Sequence, residues 1–150
     1  SLYKPLPVPE VDATYVAAML QYTRPMFPTD RTGVGALLRH LKGGGKISIA
    51  FDLDRPEGVW LDFMGRPTRT MLSMAQMALR YDAPLIPAYG LRRPGQPGFE
   101  AVLEAPIPHG TPEAMMQEAN HRLAAMVRRH PGQWLWWHRR WKGGAEDDAG

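Results

Sequence analysis

The 150-residue chain contains no cysteine, which excludes disulfides, a thiolate nucleophile and thiolate metal ligands. This absence is consistent with a reducing compartment. The chain also lacks any apolar run close to the eighteen or so residues that a membrane span needs. A disulfide-stapled secreted domain and a membrane-spanning segment are therefore both excluded for these residues.

Several common motifs are missing as well. No serine lies in a G-x-S-x-G sequence, and the five histidines show no H-E-x-x-H or paired zinc spacing. The stretch "KGGGK" does not complete a phosphate loop, which would require glycine at His40 and Ser or Thr at Ile47. We interpret it as the end of a helix.

What is present indicates a globular α/β protein. The chain is 44% hydrophobic and 22% charged, a globular composition, and its +3 charge weakly favours anionic partners. Helical and strand patterns alternate, which predicts a mixed, mainly parallel sheet flanked by helices. We expect four longer helices: one over 11–22, one capped by Thr32, one over 70–81 and one that starts at Thr111-Pro112. A second short helix after Pro131 would hold the tryptophans. The expected strands cover 47–51, 58–63, 83–89 and 98–104.

Two carboxylates, Asp52 and Asp54, follow the apolar stretch 47–51 in "FDLDRPEG". Ligand sites of α/β sheets gather at the carboxyl ends of strands, so the pair could bind a metal, orient a base or hold a sugar hydroxyl. The calcium-loop pattern fails, because Pro56 and Glu57 replace the third ligand and the glycine. Loop capping by the aspartates is the alternative that the residues leave open.

The segment "HPGQWLWWHRRWK" combines four tryptophans with a local excess of positive charge. Its indoles could pack in a core while the arginines stay solvated, stack on nucleic-acid bases, or lie at the depth of lipid headgroups. From His121 to Lys142 there is no acid, whereas the basic residues are Arg122, Arg128, Arg129, Arg139, Arg140 and Lys142.

These pieces together resemble the bacterial lipid A biosynthesis acyltransferases, within the wider lysophospholipid and glycerol-phosphate acyltransferase group. The resemblance runs from "LYKPLPVPEVD" through the D-x-D loop, "FMGRPTRT" and "PLIPAYGLRR" to "HPGQWLWWHRRWK". It implies a fold like that of glycerol-3-phosphate acyltransferase. It also implies transfer of a fatty acyl group from acyl carrier protein to a hydroxyl of a lipid A precursor, at the cytoplasmic face of the inner membrane.

The resemblance further implies a His-x4-Asp/Glu general-base dyad and an N-terminal hydrophobic anchor. No histidine in this chain has an acid five positions later. We therefore expect both features upstream of Ser1, a fold incomplete at its N-terminus, and no catalytic residue, metal or cofactor in this chain. The expected domain spans residues 1–142, followed by a disordered acidic tail over 143–150.

Carried over by position, the resemblance assigns substrate binding to charged residues and one glycine. Lys4 stands where many relatives have arginine, and the aspartates match the family's D-x-D. A glycine turn and several arginines would meet the acceptor or its phosphates. The predicted residues are Lys4, Asp52, Asp54, Gly65, Arg66, Arg92, Arg93, His138, Arg139 and Arg140.

Expected partners are the carrier-protein thioester, a phosphorylated glycolipid and, through peripheral contact, the inner membrane, but not nucleic acid. Two alternatives remain open: an acyltransferase for another polar lipid, and a non-catalytic module that binds anionic lipid or nucleic acid.

Overall fold

A computed structural model describes residues 1–141 as a small α/β structure with four helices and short two-stranded sheets. The chain divides into two compact units, Ser1–Ala50 and a second unit that begins at Phe51. The elements in chain order are β1 (Leu2–Tyr3), α1 (Pro9–Met19), β2 (Phe27–Pro28), α2 (Arg31–Lys42), β3 (Val59–Phe63), β4 (Arg66–Thr70), α3 (Ser73–Arg80), β5 (Ala88–Arg92), β6 (Phe99–Leu103) and α4 (Pro112–Arg129).

The first unit contains helices α1 and α2 and the parallel pair β1–β2. Helix α2 is capped by Asp30, whose side chain accepts a hydrogen bond from the Gly33 amide at 2.7 Å. The predicted cap at Thr32 is therefore wrong by two residues. The helix ends where the glycines after Lys42 begin, as expected for "KGGGK".

The second unit holds two antiparallel hairpins and the long helix α4. In the β3–β4 hairpin, Met64 and Gly65 both have positive φ (57° and 83°), as a tight two-residue turn requires. Helix α4 starts as predicted, because Pro112 occupies its first turn and the Thr111 hydroxyl accepts from the Ala114 amide at 3.2 Å.

The core of the second unit lies between α4 and the β3–β4 hairpin. Phe63 is fully buried against Leu123, Ala124 and Val127 of α4. Further aromatic and apolar side chains close around this cluster: Phe51, Met64, Tyr89, Trp134 and Trp141. The hairpin and the tryptophan segment are therefore parts of one packed body.

A mainly parallel sheet is not confirmed. Within the described part of the chain, only β1–β2 is parallel, whereas β3–β4 and β5–β6 are antiparallel hairpins. Each hairpin joins strands through a short local turn, so no crossover helix is needed to bring them together.

Three local predictions were wrong in part. Residues 47–51 form no strand, and β5 begins at Ala88, with only an isolated bridge at Leu85 before it. The helix expected after Pro131 is a three-residue 3-10 turn over Pro131–Gln133, so the tryptophans follow it in irregular backbone. The predicted acidic tail over 143–150 lies outside the described residues.

Candidate functional site

Arg140 is fully buried in the second unit, and its guanidinium is surrounded by hydrogen-bond acceptors. One terminal nitrogen donates to the Leu53 carbonyl (3.2 Å), the Thr68 hydroxyl (3.1 Å) and the Arg69 carbonyl (2.9 Å). The other donates to the Thr70 hydroxyl at 3.2 Å. Arg140 therefore ties the D-x-D loop to strand β4.

The same guanidinium lies over an aromatic ring, with its carbon 5.5 Å from the Phe63 centroid. Burial lowers the pKa of Arg140, and the negative charges of Asp54 and Asp52 act in the opposite direction. The three residues are thus brought close enough to interact, which links both predicted aspartates to one predicted arginine.

Asp54 is itself buried and paired with Arg69 of β4. Arg69 donates two hydrogen bonds to it, from Nε at 3.2 Å and from Nη2 at 2.9 Å. This forked geometry is the strong form of an arginine–carboxylate pair. Asp54 therefore anchors the loop, and a direct contact with a substrate stays a prediction.

Asp52 differs from Asp54 in its surroundings. It is only half-buried, and the described residues provide it with no hydrogen bond or ion pair. Because Asp54 and Arg140 fix the backbone around it, Asp52 is the carboxylate of this loop whose oxygens remain open to an incoming group.

Gly65 and Arg66 lie at the exposed turn of the β3–β4 hairpin. The positive φ of Gly65 explains the glycine, and open space where a Cβ would lie leaves the backbone accessible. The Arg66 guanidinium lies 5.6 Å from the Trp141 ring, which packs on Phe63 at 5.5 Å. The turn is therefore connected to Arg140 through two aromatic rings.

Arg92 and Arg93 lie at the end of β5, where a glutamine side chain holds the backbone. The Arg92 amide donates to Gln133 Oε1 at 2.7 Å, and Gln133 Nε2 donates back to the Arg92 carbonyl at 3.3 Å. The Arg92 guanidinium lies 5.0 Å from the ring of Phe99 on the neighbouring strand. Both arginine side chains are exposed.

The last predicted group separates into an inner and an outer part. Arg139 is exposed, whereas His138 is half-buried, with an Nε2 atom that has no hydrogen-bond partner among the described residues. Trp134 packs on Phe63 at 5.8 Å, while Trp136 and Trp137 are exposed. The indoles are therefore divided between the core and the surface.

Lys4 lies in the other compact unit, after β1, with its side chain exposed. It is not part of the Arg140 network described above.

Two histidine–carboxylate pairs occur in the described structure, and in each pair both ring nitrogens face a protein atom. His109 Nδ1 lies 3.7 Å from Asp82, while its Nε2 faces the Ala83 carbonyl at 3.2 Å. His121 Nδ1 lies 3.9 Å from Glu118, and its Nε2 faces Gln117 at 3.0 Å. Neither pair has the arrangement of a general base.

Residues 1–141 contain no cluster of three or more histidines and acids able to hold a metal. Over the same residues, no helix is both long and apolar enough to cross a bilayer.

The most important residues that sequence reasoning missed are polar and uncharged, apart from Arg69. Asn120 of α4 donates to the Asp62 carbonyl and to the Thr70 hydroxyl, and Gln117 holds the Asp62 backbone from the same helix. The alternating hydroxyls of "RPTRT" were the available signal, since Thr68 and Thr70 point toward the same buried side of β4.

The fold and site define a small α/β protein with a buried arginine–aspartate network beside exposed basic and aromatic side chains. The family model described as bacterial lipid A biosynthesis acyltransferase matches residues 23–143. The chain belongs to this family. No curated protein matches it.

Proposed function

We propose that this chain forms the acceptor-binding part of an enzyme that transfers a fatty acyl chain from acyl carrier protein to a hydroxyl of a lipid A precursor. The family match over residues 23–143 carries the proposal. The enzyme would work at the cytoplasmic face of the bacterial inner membrane. The alternative enzyme, an acyltransferase for another polar lipid, would differ from it in donor and acceptor.

In the proposed reaction, the acceptor hydroxyl oxygen attacks the thioester carbonyl and a base removes the hydroxyl proton. The C–S bond breaks, an ester forms, and the carrier thiol leaves with a proton. The base would be the family's His-x4-Asp/Glu dyad, which this chain does not contain. The isolated 150-residue chain is therefore expected to transfer no acyl group.

The two aspartates take different roles in this proposal. Asp54, buried and held by Arg69, positions the loop together with Arg140. Asp52, half-buried and without a hydrogen bond among the described residues, orients the acceptor or the basic groups around it. Exposed Arg66, Arg92 and Arg93 are the candidate contacts for the glycolipid phosphates.

The proposal is tested on the full gene product with its upstream sequence. Acyl transfer to a lipid A precursor is measured with acyl carrier protein and with coenzyme A as the thioester donor. Asp52→Asn should lower kcat/KM about tenfold or more without changing the unfolding midpoint, the loss expected when one positioning contact is removed. Asp52-dependent transfer by the isolated chain would overturn the assignment of the base to an upstream segment.

The phosphate contacts are tested with a matched pair of acceptors that differ by one phosphate. Arg93→Gln should raise KM for the phosphorylated acceptor and leave KM for its dephosphorylated form unchanged. Equal effects on both acceptors would contradict the phosphate assignment. A better kcat/KM for an unrelated polar lipid would replace the acceptor class while retaining the reaction.

A further inference from the structure

Asn120 is a polar residue on an otherwise apolar, buried side of α4. It is fully buried, and the residues four positions before and after it, Met116 and Ala124, are buried and apolar. Burying an amide costs free energy unless its donors and its acceptor are hydrogen-bonded. An apolar side chain of similar size would pack at this position without that requirement, so the atoms that the amide contacts are what distinguish Asn120.

The Asn120 amide contacts three separate parts of the second unit. Its Nδ2 donates to the Asp62 carbonyl near the end of β3, at 3.0 Å, and to the Thr70 hydroxyl at the end of β4, at 3.1 Å. Its Oδ1 accepts from Arg140 Nη2 at 3.5 Å. The amide therefore joins both strands of the β3–β4 hairpin to the buried guanidinium.

The contact with Asp62 fixes the backbone that leads into the turn at Gly65. Gln117, three residues before Asn120 on the same helix, accepts from the Asp62 amide at 2.9 Å and donates to its carbonyl at 3.1 Å. Asp62 Oδ1 in turn accepts from the Gly65 amide at 3.4 Å. The two amide side chains of α4 thus hold the glycine turn in place from the helix.

Arg140 extends the same network to the D-x-D loop. Its Nη1 donates to the Leu53 carbonyl at 3.2 Å, and Leu53 is the residue between the two aspartates of the loop. Two side chains, Asn120 and Arg140, therefore connect the Asp62 carbonyl beside the turn with the Leu53 carbonyl in the loop.

We propose that Asn120 is a positioning residue that holds the glycine turn and the D-x-D loop in one arrangement, so that both meet the acceptor together. The inference rests on the proposed function, which assigns acceptor contacts to Asp52 of the loop and to Arg66 beside the turn. It adds the residue that sets the position of one segment relative to the other. Because Asn120 is buried, it acts through Asp62 and Arg140 and not by contact with a substrate.

The test measures the kinetics of the full gene product with its upstream sequence, varying the carrier-protein thioester and the lipid A precursor in turn. Asn120→Leu keeps a similar side-chain size and removes the donors and the acceptor. It should raise KM for the precursor about tenfold, the loss expected when positioning is relaxed, and leave KM for the thioester unchanged. A mere loss of folded enzyme would lower the apparent kcat and leave both KM values unchanged.

Met116→Ala is the matched control on the same helix. It opens a cavity at an equally buried position whose side chain has no hydrogen-bond donor, so it should lower the unfolding midpoint and leave both KM values unchanged.

Asn120→Asp is the conservative variant, and it decides the question if Asn120→Leu does not fold. The carboxylate still accepts from Arg140 but donates to neither Asp62 nor Thr70. The rise in KM for the precursor should therefore be smaller, about threefold, since only the tie to the hairpin is lost.

A double variant tests whether Asn120 acts through the loop. Asp52→Asn should lower kcat/KM about tenfold in the unchanged enzyme. In the Asn120→Leu background the same change should cost less than about threefold, because a displaced loop no longer presents that carboxylate to the acceptor.

Circular dichroism of each variant verifies that the fold is retained. The proposal is overturned if both Asn120 variants leave KM for the precursor unchanged, or if Met116→Ala raises it equally. It is also overturned if Asp52→Asn keeps its full effect in the Asn120→Leu background. An unchanged enzyme that transfers no acyl group would instead refute the proposed function, and this inference with it.

Discussion

The second unit contains two arginine–phenylalanine pairs of the same chemistry in opposite environments. Arg140 lies over Phe63 at 5.5 Å, fully buried, whereas Arg92 lies over Phe99 at 5.0 Å on an exposed surface. The buried guanidinium donates to loop and strand acceptors, whereas the exposed one has no hydrogen bond within the described part of the chain. The same side-chain pair therefore stabilises the fold in one place and is available for binding in the other.

The largest expected effect follows from removing the buried guanidinium. Arg140→Ala leaves the Thr68 and Thr70 hydroxyls and the Leu53 carbonyl without this donor in a buried site. The free energy of unfolding should fall by about 3–5 kcal/mol, because several buried hydrogen-bonding groups lose their partner at once. Urea denaturation measures it, and Arg92→Ala is the control, with a change within about 0.5 kcal/mol. Equal losses of unfolding free energy in the two variants would show that burial does not determine how much each arginine contributes to stability.

The aromatic partners provide a second comparison. Phe63→Ala opens a cavity between α4 and the hairpin and should lower the free energy of unfolding by about 3–4 kcal/mol. Phe99→Ala removes a ring that is mostly in water, so its cost should stay below about 1 kcal/mol. Both values come from the same urea series, and a costly Phe99→Ala would contradict the exposed position of that ring.

The two aspartates of the D-x-D loop differ in their expected effect on stability, which should be large for Asp54 and small for Asp52. Asp54→Asn keeps the shape but removes the charge that accepts both hydrogen bonds of Arg69, so the free energy of unfolding should fall by about 2 kcal/mol. Asp52→Asn should cost less than about 0.5 kcal/mol. Thermal and urea unfolding measure both, and a neutral Asp54→Asn would refute its anchoring role.

The last expected effect is absent at neutral pH and is confined to alkaline pH. Burial, together with the nearby charge of Glu104, raises the pKa of Tyr89 to about 12 from its ordinary value of 10.0, because the folded protein favours the neutral phenol. The stability that this shift contributes is complete below pH 10 and is lost as pH rises toward about 12.

Tyr89→Phe is the matched variant for this titration. It should lack the alkaline loss of stability that the unchanged chain shows in urea denaturation. In a titration followed by tyrosinate absorbance, the variant should lack the tyrosine that ionises at the highest pH. Identical pH profiles would show that Tyr89 titrates alike in the folded and unfolded chain.

Local chemistry predicted some elements well. The hydroxyl at Thr111, Pro112 and the acid after it define the start of α4 without reference to the rest of the chain. The β3 and β6 strands were likewise predicted to within one residue at each end. These elements depend on neighbours in sequence, which a single chain reveals.

The stretch 47–51 was mispredicted because an apolar run does not specify a strand partner. Phe51 packs on the aromatic core around Phe63, but the run joins no ladder. The glycine turn at Gly65 was expected from the resemblance, but strand β4 was not, because Met64 is an unusual choice for the positive φ of a hairpin turn. The antiparallel pairing of Leu61 with Thr68 was therefore not anticipated.

The site was predictable as a set of residues but not in its arrangement. Arginine is seldom fully buried, so Arg140 was assigned to a solvent-facing group with Arg139. Its interior position depends on acceptors from three distant segments, at Leu53, Thr68 and Asn120. No sequence spacing reports such contacts.

The amide side chains along the two hairpins have a consequence for the solubility of the chain. A strand with unpaired peptide groups is a template on which another molecule can add a strand. Gln133 occupies the amide and carbonyl of Arg92, and Gln117 with Asn120 occupies those of Asp62. By occupying these peptide groups, three side chains leave fewer open donors and acceptors on β5 and β3 for pairing with a strand of another molecule.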